Sequence, residues 1–151
     1  MICLRAAGFV LLAAVIGLGC GGEDETADRF RDGYNAAIER LNEVNTNLEE
    51  SGEDLTSQPG GKIAREFDRI ADTAAQTRAE LADLAPPEEA RDEFDELLAA
   101  IQEGVTDIRA VGDAAREGSQ ERFREATEAL SESGEEISRA DSELKDAVES
   151  D

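Results

Sequence analysis

The chain has 151 residues with no histidine or tryptophan, and its 37 acidic and 15 basic residues give a formal net charge of −22. Such a field repels DNA, RNA and anionic headgroups, whose binding needs lysine and arginine to replace counterions, so the composition argues against a nucleic-acid partner. The lack of histidine excludes Ser-His-Asp triads, His-ligated zinc sites and the Glu-x-x-His ligands of di-iron bundles.

Residues 1-19 have the anatomy of a secretory signal peptide. Arg5 is the only charged residue, and an apolar run from Ala6 to Leu18 ends in small residues before Cys20. At about 13 residues, the run is shorter than the roughly 20 needed to cross a hydrocarbon core, which disfavours a permanent span. Removal of the leader would also remove Cys3, so the mature chain would have no intramolecular disulfide.

The residues before Cys20 resemble the signal of bacterial lipoproteins. Ile16, Gly17, Leu18 and Gly19 precede the cysteine, with Gly17 in the place where that family usually has leucine. The resemblance implies cleavage before Cys20, a diacylglycerol group on its thiol and a membrane-anchored chain that faces outside the cytoplasm. An ordinary cleaved signal and an uncut anchor are the alternatives.

An acidic, glycine-containing segment follows the cysteine and indicates a flexible tether. Residues 21-25 read Gly-Gly-Glu-Asp-Glu and reach up to about 17 Å when extended. Their acids are repelled by anionic headgroups, so we expect a domain that stands off the membrane. The predicted organisation is a signal peptide over residues 1-19, a lipidated cysteine and tether over 20-27, and a helical domain over 28-151.

From residue 26 onward, apolar residues recur at steps of three and four, the period of a helix, and no useful stretch alternates with period two. The pattern predicts an all-α domain of four amphipathic helices. Their predicted apolar stripes are Phe30, Tyr34, Ala37, Ile38, Leu41, Asn45 and Leu48; Ile63, Phe67, Ile70, Ala74, Thr77, Leu81 and Leu84; Ala90, Phe94, Leu97, Leu98, Ile101, Val105, Ile108, Val111 and Ala115; and Phe123, Ala126, Leu130, Ile137, Ala140, Leu144 and Val148.

Short breaks separate the helices. Residues 58-61, Gln-Pro-Gly-Gly, end the first, and residues 85-87, Ala-Pro-Pro, end the second. Gly118 and Ser119 end the third, and Ser119 is a predicted N-cap for the fourth. Because such connections join neighbouring antiparallel helices, we expect an up-down-up-down four-helix bundle.

Each predicted helix has one phenylalanine near its start, at Phe30, Phe67, Phe94 and Phe123. In an up-down-up-down bundle, Phe30 and Phe94 would fill one end of the core, and Phe67 and Phe123 the other. Core packing is the preferred interpretation, and stacking on a cofactor is the alternative.

No residue pattern indicates catalysis or a cofactor, so the sequence predicts a protein that is not an enzyme. The segment Gly60-Gly61-Lys62 lacks the spacing of a phosphate-binding loop. Calcium is the best chemical alternative, because residues 49-54 and 132-136 concentrate acidic side chains around a glycine, although neither has the ligand order of an EF-hand. No residue is assigned as a metal ligand.

Two further features bear on binding. Asn45, Thr77 and Asp141 lie on or beside the stripes, where they would line a ligand pocket or set helix register. Residues 62-84 carry a net charge of −1, whereas each of the other three helical regions carries −7. The second helix therefore provides either compensating charges on a solvated face or a docking face for an anionic partner.

The segment from Leu81 to Glu88, Leu-Ala-Asp-Leu-Ala-Pro-Pro-Glu, resembles a hinge of small, uncharacterised helical lipoproteins of bacteria. The first hypothesis is a lipid-anchored, non-enzymatic bundle that binds another protein or an envelope component. The second is a small-ligand or divalent-cation binding protein that uses the acidic face or a pocket in the bundle.

Overall fold

The computed structural model describes residues 25–53 and 60–149, and this part of the chain is all-α, as predicted. It contains α1 (Glu25–Glu53), α2 (Gly60–Ala82), α3 (Arg91–Glu117) and α4 (Gln120–Glu149), with a single 3₁₀ turn at Glu88–Ala90 and no strand among these residues. The predicted signal peptide, Cys20 and residues 21-24 lie outside the described residues, as do Gln58 and Pro59 of the predicted break before α2.

Two helix starts differ from the predictions. Helix α1 begins at Glu25, so residues 25–27, which were assigned to the tether, are helical. Gly60 and Gly61, which were assigned to the break, form the start of α2. Glycine disfavours a helix interior through its backbone freedom, but the packing of a neighbouring helix can override so small a preference. At Gly60 the reason is close approach, because a methyl group added there would overlap the carbonyl oxygen of Ala115 on α3.

The turn between α3 and α4 forms as predicted. Gly118 takes a left-handed conformation with φ of 70°, and its N–H donates to the carbonyls of Ala114 and Ala115. Ser119 caps α4, because its hydroxyl accepts a hydrogen bond from the Arg122 N–H at 3.3 Å. The turn therefore satisfies backbone groups at the end of one helix and the start of the next.

The closest backbone approaches join α1 to α2, α2 to α3 and α3 to α4. In the contacts between α1 and α2, the residue numbers increase along one helix while they decrease along the other. The contacts between α2 and α3 follow the same order. The pairs are Gly33 with Leu84 and Arg40 with Glu80 for α1 and α2, and Arg78 with Leu98, Asp72 with Arg109 and Asp68 with Arg116 for α2 and α3.

The core consists of two clusters, and the phenylalanines divide between them as predicted. Phe30 and Phe94 share one cluster, with ring centroids 5.5 Å apart in a T-shaped arrangement. Phe67 belongs to the other cluster, against which the half-buried Phe123 packs.

Helix α4 is less deeply buried than its pattern predicts. Of its seven stripe residues, only Ala140 and Leu144 are buried, and the other five are half-buried. Conversely, Val44 of α1 is buried at 6% exposure although it was not placed on the predicted stripe. Most buried core residues therefore belong to α1, α2 and α3. Helix α4 packs against them, and most of its apolar residues stay half-buried.

Candidate functional site

A polar group of three side chains lies in the core between α1 and α4. The Tyr34 hydroxyl donates a hydrogen bond to Oδ1 of Asp141. Nζ of Lys145, one helical turn after Asp141, donates to Oδ2 at 2.7 Å. Both oxygens of one carboxylate are thus engaged, one by a neutral donor and one by a cation.

The burial of this group explains why it needs internal partners. Tyr34 is 1% exposed and Asp141 3% exposed, whereas the Lys145 side chain keeps 15% of its surface exposed. Removing a carboxylate from water costs several kcal/mol unless hydrogen bonds and an opposite charge replace the lost hydration. The side chain of Lys145 is largely buried, and its charged end supplies that opposite charge.

Apolar residues surround the three side chains. The rings of Tyr34 and Phe30 stack with centroids 5.8 Å apart, and Ala140 and Leu144 of α4 belong to the same core cluster as both. These neighbours keep water away from the tyrosine ring and orient its hydroxyl toward α4. The contact between Tyr34 and Asp141 joins two helices that are not among the pairs whose backbones approach closely.

The environment of Tyr34 keeps its phenol protonated. Burial raises the pKa of Tyr34 well above its usual value near 10, and the negative charge of Asp141 and the hydrogen bond to it raise the pKa further. The hydroxyl is therefore a fixed hydrogen-bond donor. The group is suited to holding two helices in register, and its acceptor oxygens are already used within the chain.

The three polar residues singled out in the sequence have separate roles. Asp141 binds Tyr34 and Lys145. Thr77 is buried, and its hydroxyl donates to the Thr73 carbonyl at 3.0 Å, within its own helix. The half-buried Asn45 donates to Glu49 at 3.3 Å, also within its own helix. All three thus have partners inside the domain, and the hydrogen bond between Tyr34 and Asp141 joins two helices.

The acidic segments are solvent-facing where the structure describes them. Glu132, Glu135 and Glu136 are exposed, whereas Ser133 and Gly134 between them are buried against the domain. Among residues 25–53 and 60–149, no three acidic side chains are grouped in a way that could hold a metal ion. Within the same ranges, every helix is too short or too polar to cross a membrane.

Tyr34 belongs to the first predicted stripe and Asp141 lies on or beside the fourth, but the prediction did not connect them with each other or with Lys145. Two signals point to the group. Lysine four residues after aspartate on a helix places the two charges side by side, and the only tyrosine of the chain, set in an apolar stripe, needs a partner for its hydroxyl. The acid that accepts from that hydroxyl is set by the register between the two helices. No local sequence pattern encodes this register.

Comparisons of the chain with protein-family models, with curated proteins and with solved structures found no match.

Proposed function

We propose that this protein is a lipid-anchored, extracytoplasmic lipoprotein whose acidic helical domain binds another protein or an envelope component without catalysis. The observation that carries the proposal is the order of three features along the chain. An apolar leader ends at Cys20, four residues follow, and a long amphipathic helix begins at Glu25. In this order, four residues separate the cysteine from the first described helix, and we propose that they serve as a short tether.

The physics of membrane attachment supports this arrangement. Each buried methylene of an acyl chain contributes about 0.8 kcal/mol, and two or three chains give stable attachment where one is marginal. The chain's own surface then needs no affinity for lipid, in keeping with its net charge of −22. Its partners are therefore the membrane through Cys20 and a protein or envelope component through the surface of the domain.

The domain is proposed to be an up-down-up-down bundle. Support comes from the contacts of α1 with α2 and of α2 with α3, which pair the late residues of one helix with the early residues of the next. A turn as short as the one at Gly118 and Ser119 usually joins antiparallel neighbours, and α3 and α4 approach each other closely, which supports an antiparallel α4. The polar core group of Tyr34, Asp141 and Lys145 is used internally, which supports the outer surface as the binding region.

The test of the anchor is mass spectrometry of the mature N-terminus. We expect a chain that begins at Cys20 and carries a diacylglycerol group on its thiol. Cys20→Ser should release the protein from the membrane fraction without unfolding the domain, because the residue precedes the first described helix by five positions in the sequence. The matched control is Cys3→Ser, which changes the other cysteine of the chain and should leave the protein anchored. An unmodified Cys20, or a mature chain that starts elsewhere, would contradict the proposal.

A further inference from the structure

Helix α2 differs electrostatically from the other three helices. It has four basic and four acidic residues, whereas α1 and α3 each have three basic and eight acidic residues, and α4 has four basic and ten acidic. In a chain with an excess of acids, this neutral helix is the place where cations are least outnumbered.

Three of the four cations of α2 lie on one exposed face, which we call the basic stripe: Lys62, Arg65 and Arg69. Steps of three and four residues place them on the same side of the helix over about 10 Å, and all three are exposed. Arg69 is 3.9 Å from Glu66 with 78% of its side chain exposed. Lys62 and Arg65 make no ion pair or side-chain hydrogen bond with any other residue that the structure describes.

Cations next to the stripe are, by contrast, paired across helices. Arg109 is 3.2 Å from Asp72, and Arg116 is 2.8 Å from Asp68, so that two acids of α2 are already bound by arginines of α3. Asp68 and Asp72 therefore neutralise cations of α3, and among the described acids only Glu66, 3.9 Å from Arg69, pairs with a residue of the stripe. The basic stripe is left with charge that an external carboxylate could meet.

We propose that the basic stripe docks an acidic segment of a partner protein. The proposal deepens the proposed function, and rests on it only for the statement that the domain binds a protein. The surface carries both signs, because Asp72 continues the line of the stripe one turn after Arg69. A uniform polyanion such as a nucleic acid or an anionic bilayer meets repulsion from these acids and from the whole domain, whereas a protein can place carboxylates over the stripe and other residues over its acidic surroundings.

The stripe also lies far from the predicted anchor. A methyl group added at Gly33, near the start of α1, would lie 2.6 Å from Leu84 Cδ2, so α1 begins beside the end of α2. About 20 Å of helix separates Arg69 from that end. On a chain held by Cys20, the basic stripe would therefore lie about 20 Å along α2 from the end of the domain where α1 begins, which leaves room for a partner protein.

The experiment is site-specific photocrosslinking of the full chain in its native cells. The photoreactive residue p-benzoylphenylalanine replaces Gly61, since this position is exposed, a Cβ added there meets no other atom within 4 Å, and it lies beside the stripe. The same residue in place of the exposed Ala99 on α3 is the control position. We expect an adduct at position 61 and not at 99, and mass spectrometry should identify the crosslinked partner as a peptide rich in Asp and Glu.

Charge reversal tests the stripe directly. The double variant Arg65→Glu/Arg69→Glu should reduce the adduct at position 61 by about tenfold or more, because like charges then face each other across the contact. Arg91→Glu/Arg124→Glu is the matched control, since it makes the same change of charge at two exposed arginines of α3 and α4. We expect this control to keep the adduct.

Four outcomes would overturn the proposal: no adduct, a lipid or glycopolymer adduct, a peptide adduct without acidic residues, or equal loss in both double variants. Fractionation of the same cells tests the anchor separately. A soluble chain that still forms the acidic adduct would overturn the anchor and keep the docking surface, whereas a membrane-bound chain without the adduct would do the reverse.

Discussion

The hydroxyl of Tyr34 is one of two donors whose hydrogen bonds offset the desolvation of the buried Asp141 carboxylate. Without it, Oδ1 would remain in an apolar environment with Lys145 as the carboxylate's principal partner. Hydrogen bonds to charged groups contribute more than neutral ones, and the loss of a partner at a buried acceptor costs about 1–3 kcal/mol.

We therefore predict that Tyr34→Phe lowers the free energy of unfolding by about 1–3 kcal/mol, since it removes one oxygen and keeps the ring. The measurement is urea denaturation followed by far-ultraviolet circular dichroism. Thr73→Val is the control, because this exposed hydroxyl bonds only to the carbonyl of Arg69 within its own helix, and its loss should change stability by about 0.5 kcal/mol or less. Equal effects of the two substitutions would show that the hydrogen bond between α1 and α4 contributes nothing to the free energy of unfolding.

Alkaline pH gives a second prediction at Tyr34. Its pKa is raised in the folded state, so below the ordinary value of about 10 its contribution to stability is fully present. Above that pH the unfolded chain loses the proton while the folded chain keeps it, and stability falls by up to about 1.4 kcal/mol per pH unit. This loss continues until the pH passes through the raised pKa of the folded state.

The titration is measurable because the chain has one tyrosine and no tryptophan. We expect phenolate absorbance to appear together with the loss of helical circular dichroism. The comparison with Tyr34→Phe isolates this residue from the lysines, and the stability difference between the two proteins should shrink as the pH rises above about 10. Phenolate that forms in the folded protein near pH 10 would contradict the buried donor.

The residues of the polar group could be found from the sequence only one helix at a time. Asp141 and Lys145 share a helix face by their spacing, so their proximity follows from helix geometry. Tyr34 lies 107 positions before Asp141, and whether its hydroxyl reaches that carboxylate depends on the rotation and shift of α1 against α4. Those two quantities result from packing of the whole core, which no local pattern encodes.

Among the elements, the start of α2 shows how packing overrides a local signal. The pair Gly60 and Gly61 reads as a break because glycine disfavours helix, yet both residues are helical. The interiors of the helices were predictable from their three- and four-residue spacing, because a stripe that must be buried determines a helix over many residues. The half-buried stripe of α4 was not predictable, since the spacing indicates which face turns inward but not how closely a neighbour covers it.

The two glycines should respond differently to a methyl group. We predict that Gly60→Ala lowers the free energy of unfolding by about 1–3 kcal/mol, because the new Cβ overlaps the Ala115 carbonyl oxygen and forces α2 away from α3. Gly61→Ala is the matched control. Its Cβ meets no atom within 4 Å, so it should leave stability unchanged or raise it by up to about 1 kcal/mol through the better helix propensity of alanine. The same denaturation measurement applies, and equal stability of the two variants would exclude the close approach at Gly60.

At the scale of the whole molecule, two electrostatic effects of salt oppose each other. Exposed ion pairs such as Arg109 with Asp72 are weakened by salt, but each contributes only about 0–1 kcal/mol. Repulsion among the acids is weakened too, and it acts over the whole domain because acidic residues outnumber basic ones in α1, α3 and α4. With a net charge of −22, the repulsion should outweigh the pairs.

We predict that raising sodium chloride from about 0.01 M to about 0.15 M, which shortens the Debye length from about 30 Å to about 8 Å, raises the melting temperature. A gain of about 1–2 kcal/mol corresponds to a rise of roughly 4–8 °C for a domain of this size. The measurement is thermal unfolding by circular dichroism, and potassium chloride should act like sodium chloride, because screening depends on ionic strength. Calcium chloride distinguishes diffuse from specific binding of calcium. A saturable rise of the melting temperature, at calcium concentrations too low to change the ionic strength, would require a specific site formed by several oxygen ligands. A melting temperature that falls with salt would instead mean that the ion pairs between helices dominate, and that the acidic surface costs the folded state little.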